Sequence, residues 1–195
     1  MLGRALALMT MLVSCVFAAP TLAFATESNV FEVGNSAEFN SAVAAINGKT
    51  GGDYVIKLTD DIESYGASFS SACTTTILGN GHTITLGEGE TSLSVSNGAQ
   101  LNLGSGDGSD VLTISGGNNS HNDRPGVLQV GVGSTCNMYS GVTICDREGS
   151  NYPGGGVTVQ GGTFHMHGGT IKNCGINGGS GSHPQTLHIM TALRN

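Results

Sequence analysis

A three-strand pattern recurs along the middle of the chain, and self-similarity at so long a period restricts the fold more than any other feature of the sequence. Leu93-Ser94-Val95, Leu128-Gln129-Val130 and Val157-Thr158-Val159 form one column of short alternating segments. Each is followed by a turn and a second segment: Leu101-Asn102-Leu103, Cys136-Asn137-Met138 and Phe164-His165-Met166. A third set, Leu112-Thr113-Ile114, Val142-Thr143-Ile144 and Thr170-Ile171-Lys172, completes each copy. Leu93 to Leu128 spans 35 residues and Leu128 to Val157 spans 29; the difference falls in two insertions, Ser105 to Asp110 and Ser115 to Gly126. A hairpin meander would show similarity from strand to strand, about every 8–12 residues. Here it returns only after three strands, and the three columns keep distinct characters. Three strands per repeat, with apolar residues at i and i+2, predict one turn of a parallel β-solenoid, each copy pairing with the next.

Composition fits that reading. The chain holds 32 Gly in 195 residues, four Pro, no Trp and 11% charged residues. Without a G-X-Y period and with scarce Pro, collagen is excluded, and so is a long helical or coiled-coil protein. Tight corners that need positive φ account for the glycine. The formal charge is -7, and -8 once a leader holding Arg4 and no acid is removed, which argues against nucleic acid as a partner.

Residues 1–25 read as a signal peptide: Arg4, then an uncharged apolar run from Ala5 to Ala19, then Ala23-Phe24-Ala25 before a cleavage point at Thr26. A second reading takes Leu12-Val13-Ser14-Cys15 as a lipoprotein box with Cys15 lipidated, although the residues after Cys15 remain apolar. The run is too short for a membrane span, and nothing downstream approaches one. Residues 26–64 predict strand, helix, strand. Asn35 suits a helix N-cap, with Glu38 completing a capping box. Phe39, Ala42, Val43 and Ile46 make one apolar face, and Asn47-Gly48 is a stop signal. This helix is expected to cover the open first turn of the solenoid, whose strand edges would otherwise pair with other chains.

The opening "FEVGNSAEFNSAVAAIN", the stretch "TTILGNGHTITL" and the block "GGGVTVQGGTFHMHGGTIKNCGINGG" resemble bacterial secreted or cell-surface proteins with pectate-lyase-like folds, often adhesin-like. The resemblance implies an all-β, right-handed parallel β-helix over residues 65–181 with the short N-terminal α-helix as its cap. It implies a secreted or cell-surface, non-catalytic module whose partner is a glycan or a host surface component. Two alternatives stay open: a polysaccharide lyase or hydrolase, or its inactive remnant, and a spacer stalk. Residues 182–195 lose the repeat and are expected to be an irregular tail, from a truncated or frameshifted reading frame or simply a frayed end. An uncovered last turn predicts self-association.

Candidate site residues follow from chemistry. The insertion "SGGNNSHNDRPG" supplies Asn118, Asn119, His121, Asp123 and Arg124, whose side chains can hydrogen-bond sugar hydroxyls or carboxylates from a loop on a fixed scaffold. Lyases of the resembling fold hold calcium with acidic residues and use a basic residue to take the proton. Asp107, Asp110, Asp123, Asp146 and Glu148, with Arg124, Arg147 and Lys172, are the groups available; stacking would bring Asp110 and Asp146 to one side. The paired aspartates and basic motifs of those enzymes are not recognisable, so no catalytic residue and no cofactor is assigned. His165 and His167 lie two apart on one strand face, a spacing that directs two imidazoles toward one metal. His165 shares its outward column with Asn102 and Asn137, however, so a polar column accounts for it and no metal site is expected. Asp60-Asp61 read as turn formers. Cys73, Cys136, Cys145 and Cys174 permit two disulfides. With no CxxC pair zinc is not indicated, and buried free thiols are expected, a stacked Cys145–Cys174 bond being the alternative.

Overall fold

Alternating segments form strands because every second side chain can then enter a shared interior while its neighbours stay in solvent. The computed structural model describes residues 29–87, 92–116, 126–149, 155–176 and 189–191. The leader, the insertion residues 117–125 and most of the tail lie outside this set. The strands are β1 (Val30–Val33), β2 (Asp53–Leu58), β3 (Ile62–Ser64), β4 (Ala67–Phe69), β5 (Thr74–Leu78), β6 (Thr83–Leu86), β7 (Leu93–Val95) and β8 (Gln100–Leu103). They continue as β9 (Leu112–Ser115), β10 (Leu128–Gly131), β11 (Thr135–Met138), β12 (Val142–Gly149), β13 (Val157–Gln160), β14 (Thr163–Met166), β15 (Thr170–Ile176) and β16 (Ile189–Thr191). A single helix, α1 (Ser36–Asn47), lies between β1 and β2.

The protein is mostly β, with three all-parallel sheets and one short helix. Sheet A runs β1-β2-β5-β8-β11-β14, sheet B runs β3-β6-β9-β12-β15 and sheet C runs β4-β7-β10-β13-β16. From β2 onward the chain visits A, B and C in turn, adding one strand to each sheet per circuit. That order is compatible with a parallel β-helix. Leu93, Leu128 and Val157 stack in register, as do Leu101, Cys136 and Phe164. Leu93, Leu101, Leu112, Leu128, Cys136 and Ile144 are fully buried. Each such aliphatic side chain contributes about 1.5–3 kcal/mol of burial energy.

The third column departs from the sequence alignment by one residue. Thr143 pairs with Thr170 and Ile144 with Ile171, so Val142 sits level with Gly169 rather than Thr170. A one-residue slip reverses every side chain; the observed register keeps Ile171 against the core, where the sequence alignment would have opposed it to Thr143. The segment read as an irregular tail contributes β16, which pairs in parallel with β13.

The N-terminal unit forms as its residues suggest. The Asn35 side chain accepts from the Glu38 amide at 3.0 Å, and Phe39, Ala42, Val43 and Ile46 are buried. The capping box closes one residue early: the Glu38 carboxylate accepts from the Gly34 amide at 2.8 Å. Helix α1 packs against β1, β2, β3 and β4, strands from all three sheets at their N-terminal end. Asn47 ties its last turn to β4, donating to the Ser68 carbonyl and accepting from the Ser70 amide. At the opposite end Met166 is 42% exposed, whereas Met138, one strand below it in register, is fully buried.

Candidate functional site

The insertion residues Asn118, Asn119, His121, Asp123 and Arg124 lie outside the described residues, but both stems of the insertion are visible. At the first stem, Gly116 donates its amide to the Cys145 carbonyl at 2.7 Å and accepts from Arg147 Nη1 at 2.9 Å. At the second, the Gly126 amide donates to Thr158 Oγ1 at 3.1 Å. Arg147, grouped by sequence with the candidate basic residues, is instead 1% exposed and points inward. The cause is a kink. Asp146 has φ 58° and Asn173, its neighbour on β15, has φ 52°, and the two side chains are bonded at 2.9 Å. The kink breaks the two-residue alternation, so the residue that follows, Arg147 on one strand and Cys174 on the next, turns to the interior. Asn and Asp tolerate the left-handed region best, which is the one signal the sequence offered.

Among the described residues the carboxylates do not converge. Asp110 lies at the corner before β9, level with Gly141, and Asp146 lies past the other end of β9, five residues further along β12, so stacking does not bring them together; roughly 16 Å of extended chain separates the two levels. Both Asp110 oxygens are engaged, Oδ2 by the Gly79 amide and Oδ1 by the Asn80 amide, each at 2.8 Å. Such charge-assisted bonds to backbone are strong. Asp110→Ala leaves the part-buried Gly79 amide without its acceptor and the exposed Asn80 amide to water, and is expected to cost about 1–3 kcal/mol in urea unfolding, the penalty for one orphaned donor. Asp61 caps in the same way, accepting from the Thr83 amide at 2.7 Å, and its own amide is met by Asp60 Oδ1. These are the turn-forming roles expected of the pair.

Asp107 folds back on its own loop. Its carboxylate accepts from the Ser105 hydroxyl and from the amide and hydroxyl of Ser109, and these bonds, Ser105 first, hold its pKa down to about 2. Because the folded value lies below the unfolded one, the contribution is complete above the ordinary carboxylate range and fades as pH falls through about 2. A carbon-detected NMR titration should find Asp107 still ionised at pH 3; a midpoint near 3.8 would remove the loop bonds as its cause.

All four described cysteines are buried and free. Cys145 lies level with Lys172 and Cys174 with Arg147, so the two are not partners across the sheet. Burial pushes Cys145 up to about 12, with Asp146 beside it adding to the effect, and burial raises Cys136 and Cys174 as well. Such thiols are poor nucleophiles.

Among the described residues the outer face of sheet A carries an organised polar surface. Asn137 donates to Asn102 at 2.8 Å, and Asn102 donates to Thr76 at 3.3 Å, an amide ladder across three strands. His165 extends the column by register, as the sequence indicated. Beside it Tyr139 and His167 stack with centroids 5.0 Å apart, and His165 and His167 stand 5.9 Å apart. Elsewhere, a shallow groove of about 450 Å³ between β1 and α1 is lined by Phe31, Val33, Ala37 and Ala42, with Glu32 and Glu38 at its margin. Among the described residues no three His, Cys, Asp or Glu side chains form a metal-binding group, and no helix is long and apolar enough to cross a membrane. Comparison with family models, with curated proteins and with solved structures finds no match for this chain.

Proposed function

We propose that the chain is an exported, right-handed parallel β-helix that serves as a non-catalytic surface or extracellular binding module, adhesin-like, with the insertion at residues 117–125 as its ligand loop. The carrying observation is the fixing of that insertion's stems, Gly116 through Arg147 and Cys145, Gly126 through Thr158. Anchored stems fix where the two ends of the loop leave the scaffold, so a ligand does not have to order those ends. The engaged carboxylates of Asp110 and Asp61 support binding over catalysis, since their lone pairs already serve backbone amides. The ligand class is a glycan or a host surface component, recognised by Asn118, Asn119, His121, Asp123 and Arg124. Exposed Met166 at the end of sheet A supports self-association through that end.

Affinity electrophoresis through gels containing mucin or soluble neutral polysaccharide tests the binding. Retardation that disappears when residues 117–125 are replaced by a short Gly-Ser linker supports the reading; equal retardation of both proteins removes the loop from it. Unsaturated uronate products from pectin with calcium present would instead establish the lyase alternative. N-terminal sequencing of exported material should begin at Thr26, and a lipidated product beginning at Cys15 would replace that assignment.

A further inference from the structure

We propose that His165 and His167 form a two-imidazole chelating site for a divalent late transition-metal ion, Cu2+ above Ni2+ and Zn2+. The site is independent of the ligand-loop reading. Two imidazoles two residues apart on extended backbone project from the same face; His165 lies in β14, the last strand of sheet A, His167 follows directly after it with its amide still bonded to the Met138 carbonyl, and both residues are exposed. Their centroids lie 5.9 Å apart with ring planes 27° from parallel. A metal about 2.0–2.1 Å from one nitrogen of each ring sets the ring centres about 4.5 Å apart at the cis angle copper prefers and about 5 Å apart at a tetrahedral one. The two rings stand side by side, and bringing one nitrogen of each to a common metal takes a turn of the exposed His165 ring about its side-chain torsions.

The surroundings keep the two rings beside each other. Tyr139 stacks on His167 with centroids 5.0 Å apart and planes 13° from parallel, which limits how that ring can turn. His165 stands over Asn137, itself 9% exposed and bonded into the Asn102–Thr76 ladder, so its base is a fixed surface. The polar column and the chelate are one arrangement: the outward projection that accounts for the pair without a metal also leaves both rings open to one. With two protein donors the remaining coordination positions belong to water or an outside ligand. Such a site exchanges its ion and stabilises the fold little. Imidazole donors suit copper, nickel and zinc, and the general order of affinities puts Cu2+ first.

The test uses the purified exported chain and the Cu2+–iminodiacetate complex, whose chelator occupies part of the coordination sphere and favours a pair of cis imidazoles over single ones. Calorimetry should show one equivalent bound. His165→Ala and His167→Ala should each weaken it at least about tenfold, since even an outer-shell partner is worth ~10–100-fold in metal affinity. His82→Ala, on the far corner beside Asp61, should change nothing. Only a loss of that size in both single variants supports the chelate. A loss of about half the bound metal in each, with affinity unchanged, means two separate imidazoles and overturns it, as does unaltered binding by the double variant. If an alanine variant fails to fold, His165→Asn, which repeats the residue of the strand below, provides the same comparison on an intact column.

Discussion

Gly141→Ala is expected to lower stability by at least about 4 kcal/mol, a loss outside the range of ordinary single substitutions. Gly141 turns the chain from β11 into β12 with φ 84°, and an added Cβ would lie 2.1 Å from the Asp110 carbonyl oxygen. The obstacle is backbone of the preceding circuit, which no side-chain rotation can relieve. Gly81 occupies the corresponding corner between β5 and β6 with φ 91°, but an added Cβ there meets nothing within 4 Å. Gly81→Ala therefore carries only the strain of the left-handed region, about 1–3 kcal/mol. Paired urea denaturation curves separate the two terms. Equal losses would mean that torsional strain alone sets the demand for glycine, and that the preceding circuit does not press on the corner.

Arg147→Ala is the second large effect, expected at about 3 kcal/mol, which for a domain of this size is a fall of roughly 6–12 °C in Tm. The side chain is among the largest that are fully buried, and it lies against Gly116, where an added Cβ would meet its Cβ and Cδ at 2.8 and 2.9 Å. Alanine empties that volume and withdraws the donor from the Gly116 carbonyl. Arg147→Met restores most of the volume but still leaves the Gly116 carbonyl without its donor, and its loss should be about half as large. If methionine proves as damaging as alanine, the guanidinium's bonds, and not its packing, hold the insertion stem. Limited proteolysis within residues 117–125 adds an independent reading, since loosening Gly116 should speed cleavage there in both variants.

The sequence by itself determined the strands, their grouping in threes and the N-terminal helix. Those depend on local rules: alternation of apolar residues, an Asn–Glu start to a helix, four apolar positions on one helical face, glycine where the chain turns. Leu93, Leu128 and Val157 align from the sequence because inward positions select the same residue type on every circuit. The third column was misread by one residue because Gly169 carries no side chain to reveal its place in the alternation, and only stacking on Val142 and Ile144 settles it. Arg147 was misplaced for a related reason. A charged residue signals the surface unless a kink turns it inward, and the kink is maintained jointly by Asp146 and Asn173, 27 residues apart in the sequence. The role of Asp110 likewise belongs to the tertiary structure, because the amides it serves, at Gly79 and Asn80, lie on the previous circuit. In a stack of parallel strands each residue's neighbours along the chain decide its conformation, while its neighbours one circuit away decide its partners.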